Sequence, residues 1–224
     1  MKIKDNLARI RAEIPANVSL VAVSKSKTAL EILEAYHAGH RVFGENKTRE
    51  LQSKQQVLSK DIKWHFIGHL QTNKVKYIAS FIHMVESIDS LKILEELNDA
   101  GLRNGRVINC LLQFHIATEQ TKYGLNLEDA DNILGSAEYA AMKNISLKGV
   151  MGMATFTHDE DRIRKEFRAL TGYFTEIKHR YFADDEEFRE ISMGMSSDYK
   201  IAIEEGSTII RIGSAIFGDR TSLG

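Results

Sequence analysis

The sequence has very little of several features that would define other classes of protein. It contains one cysteine, Cys110, and one proline, Pro15, among 224 residues. A single cysteine cannot form an internal disulfide, which indicates a reducing compartment, and its place in the apolar run 107–112 predicts a buried thiol. No stretch is long and uncharged enough to cross a bilayer. We therefore expect a cytoplasmic protein with no membrane partner.

The chain also lacks an excess of charge of either sign. Lysine and arginine number 30 and aspartate and glutamate number 31, which gives a net charge of −1. Such a balance argues against nucleic acid as a partner. No Ser-, Pro- or Gly-rich linker divides the chain, and 43% hydrophobic residues suffice for a large core. We expect a single domain over residues 1–224.

Eight short apolar or β-branched runs recur along the chain, and segments with helical spacing lie between them. These runs are 20–24, 41–44, 64–68, 84–87, 107–114, 147–153, 188–193 and 208–212. Alternating strands and helices are typical of a parallel sheet, and eight repeats in a chain of this length fit a closed barrel. We predict an α/β fold, a (β/α)8 TIM barrel with an extra N-terminal helix at 3–14. A doubly wound open sheet is the alternative.

Local signals mark where several of the predicted helices begin and end. Thr28 and Glu31 have the spacing of a capping box directly after the first strand. The apolar residues at 163, 167, 170, 174 and 177 recur at helical spacing with charged residues between them, which predicts an amphipathic helix. Gly206 ends the helix predicted over 198–205.

Lys25 is the first candidate for chemistry, because barrel active sites lie at the C-terminal ends of the strands. Strand alternation places it on the same face as Val21 and Val23, pointing into the barrel mouth. Desolvation there favours the neutral amine, which can attack a carbonyl group. The alternative is a lysine that extends from the strand end into solvent.

The loops after the seventh and eighth strands predict an anion site. They contain Ser192, Ser196, Gly213 and Ser214, and barrels often hold phosphate at this position. Ser196 or Ser197 as a simple helix cap is the alternative. An amine beside a phosphate cradle indicates pyridoxal 5′-phosphate (PLP), held as a Schiff base.

Arg211 has the strand parity of Gly213 and is expected to point inward. There its guanidinium would donate to the pyridine nitrogen of PLP and weaken the ring as an electron sink. An internal salt bridge is the alternative role for this arginine.

Three further polar residues lie within or just after the second and third predicted strands. Asn46 is expected at the mouth, where it orients the cofactor or caps the next helix. His65 and His69 lie four residues apart, about 13 Å along a strand, which is too far for one metal ion. We predict core or cofactor-lining roles for both histidines and no metal site.

Six segments in order resemble the family of pyridoxal-phosphate-binding homeostasis proteins, whose barrel is similar to the N-terminal domain of alanine racemase. The segments are 21–27, 43–46, 64–74, 122–124, 192–198 and 211–218. The resemblance implies that Lys25, and not Lys27, carries PLP. It also implies phosphate contacts from Ser192, Ser196, Gly213 and Ser214, with Arg211 near the pyridine nitrogen. Ala29 stands where the family usually has proline, at a helix start where proline would only pre-organise the turn.

The resemblance implies a non-catalytic role, in which a monomer holds PLP, serves intracellular PLP homeostasis and supplies PLP-dependent apoenzymes. The alternative is an amino-acid racemase of the alanine racemase type, which needs an acid/base group on each face of the substrate carbon. Because the sequence stops at Gly224, soon after the eighth strand, we expect no second domain to supply that group. Tyr123 is the tyrosine expected near the mouth. A third interpretation is a phosphate-handling enzyme without a cofactor, in which Lys25 is only a charge partner.

Overall fold

A computed structural model of the protein describes residues 3–118 and 123–218. Its eight parallel strands form a closed barrel in chain order, from β1 to β8. The strands are β1 (Ser19–Val23), β2 (Val42–Glu45), β3 (Lys63–Phe66), β4 (Met84–Ile88), β5 (Ile108–Phe114), β6 (Ile145–Gly152), β7 (Glu190–Ser192) and β8 (Ile209–Ile212). The predicted (β/α)8 barrel is confirmed, and the open doubly wound sheet is wrong.

Helices cover the outside of the barrel. Within the described residues they are α1 (Ile3–Glu13), α2 (Ala29–His37), α3 (Thr48–Val57), α4 (Thr72–Val75), α5 (Leu91–Arg103), α6 (Leu127–Leu134), α7 (Ala137–Ala141), α8 (Glu160–Tyr181), α9 (Tyr199–Glu204) and α10 (Ser214–Phe217). The extra helix predicted at 3–14 is α1, which ends at Glu13, two residues before Pro15. The amphipathic helix predicted around 163–177 is α8.

Predicted helix starts and strand ends agree with the structure to different degrees. The Thr28 hydroxyl accepts from the Glu31 amide, and the Glu31 carboxylate accepts from the Thr28 amide, which confirms the capping box. By contrast, β3 ends at Phe66 rather than at residue 68. Gly68, two residues beyond the strand end, lies so close to the Asn46 backbone that a side chain there would collide with it.

Alternation along each strand separates two cores. Leu20 and Ala22 of β1 belong to the large core between the barrel and the helices, whereas Val21 belongs to a second cluster. The second cluster, drawn from five strands, consists of Val21, Met84, Leu111, Met151 and Ile209. Because strand residues alternate between the two faces of a barrel, this cluster fills the barrel interior. The same parity identifies which polar strand residues point inward.

Gly149 provides a stability test of how closely β6 packs against its neighbouring strands. It lies where the register of the β5–β6 pair shifts, its φ is +149°, and a Cβ atom would overlap the backbone of Glu190. We expect Gly149→Ala to lower the free energy of unfolding by about 2 kcal/mol or more, because the neighbouring strand must move. Unfolding in urea measures the change.

Gly172 is the matched control, because it lies on the exposed face of α8 and a Cβ atom there would meet no neighbouring atom. We expect Gly172→Ala to raise the free energy of unfolding by about 0.5–1 kcal/mol, since alanine favours a helix over glycine. Equal stability of Gly149→Ala and the parent protein would contradict the assignment of Gly149 to a position that needs glycine.

Candidate functional site

A cavity of about 620 Å3 opens at the C-terminal ends of the strands. Its lining comes from the segments after β1, β2, β3, β6, β7 and β8, together with parts of β1 and β8. Six of the seven predicted site residues line it, namely Lys25, Asn46, Ser196, Arg211, Gly213 and Ser214. The structure therefore brings together residues that lie up to 189 positions apart in the sequence.

Lys25 reaches the cavity from a turn rather than from a strand. Because β1 ends at Val23, strand alternation does not extend to Lys25. Lys25 does line the cavity, but the turn after β1, and not strand alternation, places it there. Lys25 is half-buried and lines the cavity. Lys27 lines the same cavity, with its Nζ 3.2 Å from the Phe217 carbonyl oxygen and 3.5 Å from a Glu31 carboxylate oxygen. Position in the cavity alone does not distinguish the two lysines.

Arg211 points into the barrel, as its parity predicts, and is buried beneath the cavity. Its Nη1 donates to the Ser192 hydroxyl at 2.6 Å, and its Nη2 donates to the Gly152 carbonyl at 3.0 Å. A guanidinium has five N–H groups, and the remaining ones have no partner among the described residues. Burial lowers the pKa of Arg211, while the Glu86 and Asp198 carboxylates act in the opposite direction. Arg211 thus lines the cavity and also forms the internal ion pair that was the alternative prediction for it, with Glu86 Oε2 3.9 Å from its Nη1.

Ser192 is the predicted site residue that the structure places elsewhere. It does not line the cavity, because it lies inside the barrel below Arg211. Its hydroxyl donates to Glu86 Oε2 at 2.5 Å and accepts from Arg211. We therefore correct the expectation that Ser192 contacts a phosphate: its hydroxyl is already used in fixing the arginine.

Glu86 is the acidic centre of this buried polar layer. Its Oε1 lies 2.6 Å from His65 Nδ1, and its Oε2 is 3.9 Å from Arg211 Nη1. Burial raises the pKa of Glu86, but His65, Arg211 and Ser192 outweigh that effect and the net pKa lies below its ordinary value. His65 stacks on His83, and burial lowers the pKa of His83 to about 4. His65 is thus a buried core residue, which was one of the two roles predicted for it, the other being a contact with the cofactor.

The loops after β7 and β8 meet through Ser196. The Ser196 hydroxyl accepts from the backbone amides of Gly213 and Ala215 at 3.3 and 3.4 Å. Asp198, not Ser196 or Ser197, occupies the N-cap position of α9, so the simple capping role is wrong for that helix. Small residues, hydroxyl groups and backbone N–H groups converge here, which is an arrangement suited to an anion.

Asn46, His69 and Tyr123 lie around the mouth in different settings. Asn46 lines the cavity, and the N-cap of α3 is Lys47, so Asn46 is not the helix cap. His69 bonds Asp89 at 2.9 Å and stacks on Tyr123 with ring centroids 3.9 Å apart. Neither His69 nor Tyr123 lines the cavity. Lys122 lies outside the described residues.

Sequence reasoning missed several buried charges near the site. Glu86 was detectable as an acid inside the apolar run of β4, and Glu45 as an acid at the end of β2. Glu50 and Lys54 were detectable as an i,i+4 pair on α3. Their further contacts, with Ser24, Ser26, His65 and Ser192, join residues that are distant in sequence, which is why the patterns alone gave these charges no role.

Residues 3–118 and 123–218 contain neither a metal-binding cluster nor a membrane-spanning helix. No three histidine, cysteine, aspartate or glutamate side chains in these ranges come together as a metal-binding group. No helix in the same ranges is long and apolar enough to cross a membrane.

The fold and the site together define an α/β barrel with a lysine, a buried arginine and two converging loops around one cavity. The family model described as the N-terminal domain of alanine racemase matches residues 1–221. The pyridoxal phosphate homeostasis protein of Escherichia coli is 36% identical over 232 residues, covering 97% of each chain. This chain belongs to the pyridoxal phosphate homeostasis protein family, as the resemblance in the sequence predicts.

Solved structures agree with that assignment. The structure of PipY from Synechococcus elongatus, with PLP bound, matches with a TM-score of 0.87 at 32% identity and covers 96% of this chain and 100% of that chain. Alanine racemase from Bacillus anthracis matches with a TM-score of 0.73 at 16% identity, covering 99% of this chain and 57% of that chain. The second likeness shows a shared fold alone.

The Glu86 network can be tested by stability. Glu86→Ala leaves Arg211 buried without its carboxylate partner, and we expect it to lower the free energy of unfolding by about 3–5 kcal/mol. Glu86→Gln keeps the shape and part of the hydrogen bonding, and its effect should be smaller. Urea unfolding near pH 7 measures both, and a loss below about 1 kcal/mol for Glu86→Ala would show that the network contributes little.

Proposed function

We propose that this protein binds PLP covalently through Lys25 and acts as a non-catalytic carrier in PLP homeostasis. The observation that carries the proposal is that Lys25, Arg211 and the 213–214 loop line a single cavity at the barrel mouth. Membership of the family supports it, as does the bound PLP named for PipY.

The cavity fits PLP in size and in chemistry. Its volume of about 620 Å3 lies in the usual range for small-molecule sites. Two lysines and one arginine are the charged residues of its described lining, which suits a phosphorylated ligand. When bound, PLP supplies an aldehyde, with which a neutral amine forms a carbon–nitrogen double bond as one water is released.

Each residue of the proposed site has a distinct role. Lys25 supplies the amine, and Arg211 offers N–H groups to the pyridine nitrogen. Ser196, Gly213 and Ser214 hold the phosphate through hydroxyl and backbone donors, and Asn46 orients the ring. Ser192 acts through Arg211, whose guanidinium it holds in place.

The non-catalytic part of the proposal rests on the titratable groups of the cavity. Racemisation needs one group to remove a proton and a second group to return it on the opposite face. Besides Lys25, the described lining contains only Lys27 and Arg211 as titratable side chains. Lys27 is engaged with Phe217 and Glu31, and the Tyr123 ring stacks on His69.

Four sequence-based predictions stay as part of this proposal. They are a single domain over residues 1–224, a monomeric state, a cytoplasmic location and PLP-dependent apoenzymes as recipients of the cofactor. Cys110 is buried, as its place in an apolar run predicts, and burial raises the pKa of its thiol.

Covalent capture tests the central claim. The protein is incubated with PLP, reduced with borohydride and mapped by peptide mass, alongside Lys25→Ala and the matched variant Lys27→Ala. We expect one equivalent of label on the Lys25 peptide, retained in Lys27→Ala and lost in Lys25→Ala, because reduction fixes only an existing carbon–nitrogen double bond. Label scattered over surface lysines, or no label, would refute the proposal and favour a phosphate site without cofactor.

A turnover assay tests the choice between carrier and racemase. We expect the PLP-loaded protein to convert L-alanine to D-alanine at far below one turnover per second, roughly the lower end of ordinary enzyme rates. Chiral chromatography of the reaction measures it, with an authentic alanine racemase as positive control. Turnover at about one per second or faster would instead establish the racemase.

A further inference from the structure

The turn that contains Lys25 has a backbone conformation that is unfavourable for one of its own residues, Ser26. The Lys27 amide donates to the Ser24 carbonyl at 3.0 Å, which closes a four-residue turn over Ser24–Lys27. Ser26, the third residue, has a φ of +63°. This is the sign found in a type II turn, where glycine is usual, and it costs a residue with a side chain about 1 kcal/mol. Contacts from outside the turn must therefore hold it.

Two side chains of α3 form hydrogen bonds with the peptide groups on either side of Lys25. Lys54 Nζ donates to the carbonyl oxygen of Ser24 at 2.7 Å. The amide of Ser26 donates to Glu50 Oε1 at 2.6 Å. The first contact fixes the peptide that precedes Lys25, and the second fixes the peptide that follows it. Together they determine how the Lys25 side chain leaves the backbone.

The two side chains are themselves joined and largely withdrawn from solvent. Lys54 Nζ lies 2.7 Å from Glu50 Oε1 and 2.7 Å from Glu45 Oε1, and its side chain is 8% exposed. Glu45 is fully buried and also accepts from the Ser24 hydroxyl at 2.6 Å. Charge-assisted bonds in such a setting are shorter and stronger than neutral ones. We call Glu45, Glu50 and Lys54 the turn clamp.

We infer that Glu50 and Lys54 are positioning residues that aim Lys25 into the cavity. Neither lines the cavity, so they act on a ligand only through the turn. The inference rests on the proposed function of Lys25. Without the clamp, Ser26 is free to leave its left-handed conformation, and the amine then spends less time facing the ligand. Capture of an aldehyde suffers, while contacts made by the 213–214 loop and Arg211 persist.

The test compares a ligand that needs the amine with one that does not. PLP carries the aldehyde, whereas pyridoxine 5′-phosphate has a hydroxymethyl group there and binds only through the ring and the phosphate. We expect Lys54→Met and Glu50→Ala to slow borohydride-trapped labelling of Lys25 by about tenfold or more, as small misplacements of a reacting group do. Affinity for pyridoxine 5′-phosphate should change by less than about threefold.

Conservative and control variants separate positioning from folding. Glu50→Gln keeps an oxygen that accepts from Ser26 and should retain most of the labelling rate. Adding Ser26→Gly to Glu50→Ala should restore much of it, because glycine adopts a positive φ without strain. Glu176→Ala removes the exposed i,i+4 pair with Arg180 on α8 and should change nothing. Urea unfolding of each variant identifies any that fail to fold.

The outcomes distinguish the inference from the function on which it rests. If the parent protein does not label at Lys25, the proposed function fails. If the parent labels, the inference is overturned when the clamp variants label at the parental rate, or when they lose PLP and pyridoxine 5′-phosphate equally. It is also overturned if Ser26→Gly gives no recovery in the Glu50→Ala background.

Discussion

The pairing of β1 with β8 is the constraint on which the rest of this structure depends. It closes the barrel, with Val21 opposite Arg211, and so joins the two ends of a long chain. Closing a loop of that length has an entropic cost that the contacts it creates must offset. Those contacts include the Asn6 amide on the Ile216 carbonyl and Lys27 on the Phe217 carbonyl. Because the register is fixed, the turn after β1 and the loop after β8 border the same cavity, and the candidate site follows from barrel closure.

A buried polar layer supports that cavity from inside the barrel. Burying a guanidinium without a partner is costly, and Arg211 is buried among Ser192, Gly152 and Glu86. Glu86 in turn is held by His65 and Ser192. This layer holds the Arg211 guanidinium in place while two of its five N–H groups are used, at a position that lines the cavity. A rigid donor loses little conformational freedom when a ligand arrives, which is the condition for an effective binding group.

Strand periodicity made the fold and part of the site predictable. Alternation identified the inward face of Arg211, and eight apolar runs identified the barrel. The same logic failed in informative ways at Lys25 and Ser192. Lys25 lies beyond the strand, in a turn that Glu50 and Lys54 contact. Ser192 points inward as predicted, but its hydroxyl donates to Glu86. Periodicity predicts the direction of a side chain but not the partner it meets, because partners come from other strands and helices. The contacts between the turn clamp and residues 24–26 could not be predicted for that reason.

The distribution of charge is consistent with the carrier role that we propose. The carboxylates of the site lie behind the cavity: Glu86 is inside the barrel, and Glu45 and Glu50 contact Lys54. They fix the cations without lining the cavity, whose charged groups within the described chain are all positive. Such a surface attracts an anionic ligand and presents an amine to it, yet offers few groups able to exchange protons with a bound substrate. In the proposed carrier, one amine is sufficient to take up an aldehyde and release it again, whereas a racemase needs a second acid or base in the same space.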